Sequence, residues 1–206
     1  MLKASTGLRK YANERLMPQL GIPTANISIE NIPWIEDAVS GVYFGWCSVQ
    51  LPPDHPALTS SPQPASTQPL DESTLSPTKL SPITFPTPSS LLPPALQQDK
   101  GWRTYPFVMS IGYNPFYKNR VRSAEVHVLH EFGKDFYGSE MRVSVMGFVR
   151  PEYDYDSLEG LVKDIREDCW VAGRSLGRVG WELGGEQFAR ERDFLWDVDM
   201  KEAYTG

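Results

Sequence analysis

The sequence predicts a mainly β fold of the α+β class, a small antiparallel barrel or sheet closed by a C-terminal helix. Three observations support this fold class. Strand-like apolar segments come first along the chain, a long proline-rich stretch interrupts them, and an amphipathic helical pattern appears only after the last strand. Strands that precede a helix favour one sheet whose apolar face is covered by that helix.

Two strand-like segments flank the proline-rich stretch, Gly41–Val49 before it and Tyr105–Gly112 after it. The stretch 51–100 holds 12 of the 18 prolines, no glycine and one aromatic residue, Phe85. It has too little apolar surface to offset the loss of chain entropy, so we expect it to be disordered. Because the cost of closing a loop rises only with the logarithm of its length, we predict an expanded hairpin connection within one domain.

Two further strands are predicted after this stretch. In 122–129, Val126 and Val128 point to one face of the strand, whereas Glu125 points to the other. The segment 141–149 alternates in the same way, and the Asp-Phe-Tyr-Gly sequence between the two segments is a turn signal. This pattern predicts an antiparallel hairpin.

The period then changes to that of a helix. Apolar residues from Leu158 to Cys169 recur at intervals of three and four residues, which is the pattern of an amphipathic helix. Asp156, with Glu159 three residues later, predicts a capping box at its start. The helix is expected to end at Gly173 or Gly177, and a shorter helix is expected over Glu186–Trp196.

Composition excludes several functional classes. The formal net charge is −6 and the pI is about 5.1, which argues against a general nucleic-acid binder because such proteins concentrate Lys and Arg on phosphates. No apolar run approaches the roughly 20 residues of a membrane helix. Cys47 and Cys169 form no zinc spacing with the three histidines, so we expect two reduced, buried cysteines.

Two short motifs contain groups suited to phosphate chemistry. Pro23 stiffens the turn before Thr24 and Asn26, whose hydroxyl and amide oxygens are hard ligands of the kind that Mg²⁺ prefers. Glu125 lies within an apolar strand, where its carboxylate either faces solvent or lies in a cleft and accepts a proton from an attacking hydroxyl. An ordinary turn and a solvent-facing carboxylate are the simpler interpretations of each motif alone.

A third motif, Ser110–Asn119, contains a glycine, Gly112, that would allow close approach by a ligand. Together and in order, the motifs resemble the riboflavin kinase family. The resemblance covers about 20–50 and 105–176, and it rests on Leu20-Gly-Ile-Pro-Thr-Ala-Asn-Ile27, Ser40-Gly-Val-Tyr-Phe-Gly-Trp46, Met109-Ser-Ile-Gly-Tyr-Asn-Pro-Phe-Tyr-Lys-Asn119, Glu125-Val-His-Val-Leu-His130, Asp135-Phe-Tyr-Gly138 and Gly147-Phe-Val-Arg-Pro-Glu152.

This resemblance implies a small antiparallel Greek-key barrel with a C-terminal helix, and a reaction in which ATP and riboflavin give FMN and ADP. It implies that Thr24 and Asn26 bind Mg²⁺, with Zn²⁺ or Mn²⁺ as alternatives, and that Glu125 activates the 5′-hydroxyl of riboflavin. The family pattern aligns Val128, His130 and Tyr137 with ATP, and Arg150, Tyr153 and Tyr155 with the flavin.

The chain departs from the family before Leu20. Family members carry a strand and a glycine-rich loop of the form Gly-x-Val-x-x-Gly-x-Gly-Arg-Gly-Ser-Lys there, whereas residues 1–19 contain one glycine, Gly7. We therefore divide the chain into a divergent segment, 1–19, and a barrel domain, 20–200, interrupted by 51–100. The divergence leaves open whether the first barrel strand is present. It also leaves two functions, a riboflavin kinase with weakened ATP binding or a non-catalytic flavin- or nucleotide-binding barrel.

The expected partners are small molecules, ATP and riboflavin, and neither nucleic acid nor a membrane. We expect a monomer in the cytoplasm. The basic residues near the start, Lys3, Arg9, Lys10 and Arg15, leave a mitochondrial presequence as the alternative.

Overall fold

The computed structural model describes residues 10–11, 24–27, 32–58, 101–113, 122–130, 132–136, 138–178, 181, 187 and 189–196. In these residues one antiparallel sheet contains β1 (Lys10–Tyr11), β2 (Ala25–Ile27), β3 (Gly41–Gln50), β4 (Trp102–Tyr113), β5 (Arg122–Val128) and β6 (Glu140–Pro151). The α-helices described there are α1 (Pro33–Asp37), α2 (Leu158–Leu176) and α3 (Ala189–Trp196), and a 3₁₀ turn spans Pro56–Leu58.

The strands lie in the order β1-β6-β3-β4-β5-β2. Three consecutive strands, β3, β4 and β5, form a meander, and β6 returns to lie beside β3, which is the Greek-key arrangement. The mainly β class, the Greek-key topology and the C-terminal helix are confirmed. Within the described residues no ladder joins β1 to β2, so the sheet has two edges instead of the closed ladder of a barrel. The divergent N-terminal segment supplies the edge strand β1.

The predicted hairpin between 122–129 and 141–149 is wrong. Both segments are strands, but β5 lies between β4 and β2, whereas β6 lies between β3 and β1. Alternation predicts which side chains face the core, and it does not say which strand lies alongside. The chain reverses direction between β5 and β6, with φ of +81° at Gly138, but the two strands do not pair with each other.

The hairpin predicted across the proline-rich stretch is confirmed. The β3–β4 ladder runs without a break from Gly41 opposite Ile111 to Gln50 opposite Trp102. The N–H of Leu51 then donates to the Gly101 carbonyl at 2.9 Å. Residues 51–58 at the start of the stretch pack against the sheet, eight residues beyond the predicted boundary, and 59–100 lie outside the described residues.

Two apolar cores lie on the two faces of the sheet. The inner core includes Cys47, Phe107, Met109 and Val126, which lie on β3, β4 and β5. The outer core lies beneath α2 and α3 and contains Phe44, Trp46, Val108, Leu129, Cys169, Ala172, Leu176, Phe194 and Leu195. Cys47 and Cys169 are both buried and free, as predicted, and they lie in different cores.

The long helix α2 begins at Ser157, whose hydroxyl accepts the N–H of Gly160 at 3.1 Å, so the N-cap is Ser157 and not Asp156. It ends at Gly177, one of the two predicted ends. The helix α3 begins at Ala189, three residues later than predicted. None of the helices in the described parts of the chain is both long and apolar enough to span a bilayer.

Candidate active site

A row of directly opposed residues crosses the outer face of the sheet. Asn26 on β2 lies opposite Glu125 on β5, and Glu125 in turn lies opposite Ser110 on β4. Their neighbours Ala25 and Val126 are buried, so the alternation of the strands brings the Asn26 and Glu125 side chains to the other face. Directly opposed side chains have Cβ atoms about 5 Å apart, so an amide and a carboxylate meet here.

The row continues on β3 and β6, where Val42 lies opposite both Ser110 and Arg150. Two register shifts in the β3–β6 ladder bend β6 before it reaches Arg150. Three strand spacings of about 4.8 Å separate Glu125 from Arg150, a distance of about 14 Å along the sheet. An elongated ligand could therefore contact the carboxylate at one end and the guanidinium at the other.

Thr24 lines a recess at the start of β2. The recess is bounded by the inner-core residues next to Thr24 and by the connection between β5 and β6. The Thr24 hydroxyl is buried and has no hydrogen-bond partner among the described residues. An unpaired buried hydroxyl is costly, and a ligand in the recess would satisfy it. The other lining residues are Ala25, Val126, Val128, Phe132, Lys134, Asp135 and Phe136.

The available donors fit a hard cation better than a soft one. The buried Thr24 hydroxyl and the Asn26 amide supply neutral oxygens, and Glu125 supplies a carboxylate opposite Asn26. No cluster of three His, Cys, Asp or Glu side chains suited to a metal occurs in the described residues. Zn²⁺ prefers nitrogen and sulfur ligands, whereas Mg²⁺ takes a few protein oxygens and completes its shell with phosphate and water.

An aromatic cluster adjoins the recess. The His130 ring stacks on Tyr105, with centroids 4.5 Å apart, and meets Phe132 edge-on at 4.8 Å. Phe132 and Phe136, which line the recess, are 4.5 Å apart. Burial lowers the pKa of His130, and the nearby His55 adds to this effect. The imidazole is therefore held neutral and can offer one donor and one acceptor near the recess.

At the other end of the row, Arg150 forms two hydrogen bonds of 2.8 Å with Asp168 on α2. The Arg150 guanidinium carbon also lies 4.9 Å from the centroid of the Tyr153 ring, which is 55% exposed. The Tyr155 hydroxyl donates to Asp164 at 2.7 Å. Two acidic residues of one helix therefore position the side chains that end the row.

Two side chains of this network, Asp168 and Tyr155, have altered pKa values. Burial raises the pKa of Asp168, and Arg150 opposes that rise. Burial, with the hydrogen bond to Asp164, raises the pKa of Tyr155 to about 12, so its hydroxyl remains a donor at neutral pH. An exposed aromatic ring beside a partly buried cation is an arrangement that can bind a flat ligand.

The close approach predicted at Gly112 is made by a side chain of the chain itself. A Cβ added to Gly112 would overlap the carboxylate of Glu152, which lies directly against the glycine backbone. Burial raises the pKa of Glu152, and Arg122 and Arg150 oppose that rise. The rest of the third motif, 114–119, lies outside the described residues.

Comparison with known proteins identifies the family of this chain. The family model of the flavokinases, described as riboflavin kinase, matches residues 12–176, which is most of the chain. The chain belongs to the riboflavin kinase family. The family resemblance inferred from the motifs is therefore confirmed.

The chain is similar to riboflavin kinases of several fungi. A riboflavin kinase of Chaetomium globosum is 49% identical over 170 residues, covering 81% of this chain and 68% of the relative. A riboflavin kinase of Neurospora crassa is 43% identical over 195 residues, covering 84% of this chain and 79% of the relative. The crystal structure of riboflavin kinase from Trypanosoma brucei is 23% identical with a TM-score of 0.53, covers 89% of this chain and 85% of that chain, and supports the fold.

The structure places the residues predicted for riboflavin kinase chemistry in separate groups. Asn26 and Glu125 are opposed in one ladder. Thr24 and Val128 line one recess, with His130 one aromatic ring away. Arg150, Tyr153 and Tyr155 belong to one network of side chains that contacts α2. Tyr137 lies outside the described residues.

Sequence reasoning missed several residues at these positions. Asp168 belongs to the buried side of α2 and is 3% exposed, a rare environment for a carboxylate. The sequence did hold a signal for this burial, because Asp168 comes three residues after Ile165 and so lies on the apolar face of the helix. Lys134 and Asp135 look like ordinary turn residues, and only the tertiary structure places them at the recess with Thr24.

Proposed function

We propose that this chain is a riboflavin kinase that transfers the γ-phosphoryl group of ATP to the 5′-hydroxyl of riboflavin, giving FMN and ADP. Family membership and the identities of 49% and 43% to fungal riboflavin kinases support the activity. The observation that carries the proposal is the β2–β5 ladder, because it sets the Asn26 amide directly across from the Glu125 carboxylate. The relatives favour the kinase over the non-catalytic barrel.

Glu125 acts as the general base in this proposal. The 5′-hydroxyl oxygen of riboflavin attacks the γ-phosphorus while its proton passes to the Glu125 carboxylate. The bond from the γ-phosphorus to the bridging oxygen breaks, and ADP leaves. Phosphoryl transfer needs little covalent help from a protein, so the main contributions of the chain are the positions of the two reacting oxygens and the exclusion of water.

Thr24 and Asn26 are the proposed ligands of a divalent cation, and the buried Thr24 hydroxyl, which has no hydrogen-bond partner within the described part of the chain, supports this role. When bound, the cation neutralises charge on the phosphate oxygens. Their neutral oxygens favour Mg²⁺ over Zn²⁺, with Mn²⁺ as an intermediate case. The recess beside Thr24, with Val128, His130 and Tyr137, is the proposed ATP site.

Arg150, Tyr153 and Tyr155 are the proposed flavin contacts. The exposed Tyr153 ring offers a face for the isoalloxazine system, and Arg150 is held in place by Asp168. The separation of about 14 Å between Arg150 and Glu125 suits a substrate with its ring system at one end and its reacting hydroxyl at the other.

The test is formation of FMN from riboflavin and Mg²⁺-ATP, followed by chromatography. Glu125→Gln should lower kcat by about 10²–10⁴-fold and leave the Kd of riboflavin within about twofold, because a general base acts on turnover and not on flavin binding. Glu159→Gln, an exposed residue at the start of α2, is the matched control and should retain full activity. Riboflavin binding without FMN formation by the wild-type protein would favour the non-catalytic barrel instead.

The metal role has its own test. Thr24→Ala should raise the Mg²⁺ concentration needed for half-maximal activity by about tenfold, whereas Thr24→Ser should restore the wild-type value because the hydroxyl is retained. Parallel titrations with Mn²⁺ and Zn²⁺ give the metal preference. An unchanged Mg²⁺ requirement in Thr24→Ala would rule out this ligand.

We infer a monomeric protein of the cytoplasm, with the mitochondrion as the alternative that the basic start of the chain leaves open. Gel filtration of the full chain tests the first inference. Cell fractionation tests the second.

A further inference from the structure

The segment 51–58 packs behind one wall of the recess. It begins where the β3–β4 ladder ends, and Ala57 and Leu58 pack against the inner core. At its centre lies His55, which is 1% exposed. A fully buried histidine at the start of a proline-rich stretch is unexpected from composition alone.

Two hydrogen bonds define the state of the His55 ring. The backbone N–H of Ala57 donates to Nδ1 at 3.2 Å, so Nδ1 carries no proton. Nε2 lies 2.8 Å from the backbone carbonyl oxygen of Lys134, and it must then be the donor. The neutral Nε2–H tautomer therefore links the segment 51–58 to the connection between β5 and β6.

That connection forms one wall of the recess. Phe132, Lys134, Asp135 and Phe136 all line it, and they lie in a segment without regular secondary structure. The His55 ring meets Phe132 edge-on, with centroids 5.9 Å apart. Backbone outside helices and strands depends on such side-chain contacts for its position, so His55 is well placed to set the shape of the wall.

A second link between the same segments is different in kind. Lys134 Nζ lies 2.6 Å from Asp54, but both side chains are more than half exposed. An exposed ion pair contributes little because water and salt screen it. The buried hydrogen bond of His55 is therefore the stronger of the two links.

We propose that His55 is a positioning residue for nucleotide binding, because its ring donates to the Lys134 carbonyl and holds 132–136 as the wall of the Thr24 recess. This inference rests on the proposed function, in which that recess takes the ATP. His55 touches no substrate, so its loss weakens nucleotide binding and leaves riboflavin binding and the phosphoryl-transfer step intact.

Two variants separate the hydrogen bonds. His55→Gln retains an N–H donor near the position of Nε2, whereas His55→Asn can accept from Ala57 but is too short to reach Lys134. We expect His55→Asn to raise the KM for ATP about tenfold, the effect of one lost buried hydrogen bond, with kcat and the KM for riboflavin within twofold. His55→Gln should recover most of the ATP affinity. Asp54→Asn, the control on the exposed ion pair, should change the KM for ATP less than twofold.

Hydrogen exchange on the wild-type protein gives a readout that needs no variant. Adding Mg²⁺-ADP should slow exchange both in 132–136 and in 51–58, because the two segments are linked through His55. Protection of 132–136 with none in 51–58 would overturn the link, whether or not the variants fold. Equal losses in the ATP and riboflavin parameters of His55→Asn would also overturn it, since they indicate general damage to the fold.

Failure of the inference differs from failure of the proposed function. If the wild-type protein forms no FMN, the kinase proposal fails. If it forms FMN and His55→Asn keeps the wild-type KM for ATP, the role of His55 alone is refuted.

Discussion

The ion pair between Arg150 and Asp168 offers a quantitative test of how α2 supports the site. Two hydrogen bonds of 2.8 Å join the guanidinium of Arg150 to the carboxylate of Asp168, which is 3% exposed. Replacing Asp168 with Ala leaves the Arg150 side chain, itself 16% exposed, without its main partner. Breaking a buried ion pair in this way typically costs about 3–5 kcal/mol.

We expect the lower end of that range, about 3 kcal/mol, because Arg150 keeps two other contacts. It donates to the Pro151 carbonyl at 3.1 Å and lies over the ring of Tyr153. For a domain of this size, that loss lowers Tm by about 6–12 °C. Replacing both residues, as Arg150→Met with Asp168→Leu, should restore stability to within about 1 kcal/mol, because no unpaired charge then remains.

The functional consequence separates stability from binding. The stable double variant lacks the cation beside Tyr153, so the KM for riboflavin should rise about tenfold while the KM for ATP stays within twofold. Thermal unfolding and steady-state kinetics on the two single variants and the double variant measure both effects. Asp54→Ala, which breaks the exposed pair with Lys134, is the control and should leave Tm almost unchanged because water and salt screen that pair.

Two results would refute this reasoning. If Asp168→Ala costs no more than Asp54→Ala, the buried pair behaves as a surface pair and α2 does not position Arg150 through it. If the double variant keeps the wild-type KM for riboflavin, Arg150 takes no part in flavin binding.

Two further predictions follow from local contacts. Gly45→Ala should destabilise the fold by about 3 kcal/mol in urea unfolding, because the new Cβ would overlap the backbone oxygen of Ser144. Gly112→Ala should cost under about 1 kcal/mol, because the overlapping Glu152 carboxylate can move aside. Equal losses of stability in the two variants would contradict this reasoning. Burial lowers the pKa of folded His130, so the unfolded chain binds a proton more readily and stability should fall as pH drops through about 6.5. The measurement is Tm at pH 7.5 and at pH 5.5, and the decrease in Tm should be smaller in His130→Gln than in the wild-type protein. An identical fall in that variant would assign the effect to other groups.

The longer strands could be predicted from the sequence because periodicity reports burial. The segments predicted around Gly41–Val49, Tyr105–Gly112, 122–129 and 141–149 correspond to β3, β4, β5 and β6. The strands β1 and β2 have two and three residues, too few for any period to be recognised. The predicted hairpin of β5 with β6 was wrong because a turn signal describes the local chain direction and not the neighbouring strand.

The sequence indicated the candidate site residues but not the buried residues that hold the site in place. The motifs indicated Thr24, Asn26 and Glu125, and the structure opposes the last two in one ladder. Asp168 and His55 escaped prediction because each is polar in a setting where composition suggests solvent. Their burial depends on partners far along the chain, Arg150 and Lys134, which no local pattern connects to them.

The amino-acid sequence alone indicated the family, the faces of the main strands, the position of α2 and candidate groups for phosphoryl transfer. These follow from local chemistry, since side-chain period, capping and motif order are all properties of neighbouring residues. The tertiary structure established which strands are neighbours, that Asn26 meets Glu125, and that His55 and Asp168 are buried against their partners. Those facts depend on contacts between distant segments, where the free energy of packing the whole sheet outweighs any local preference.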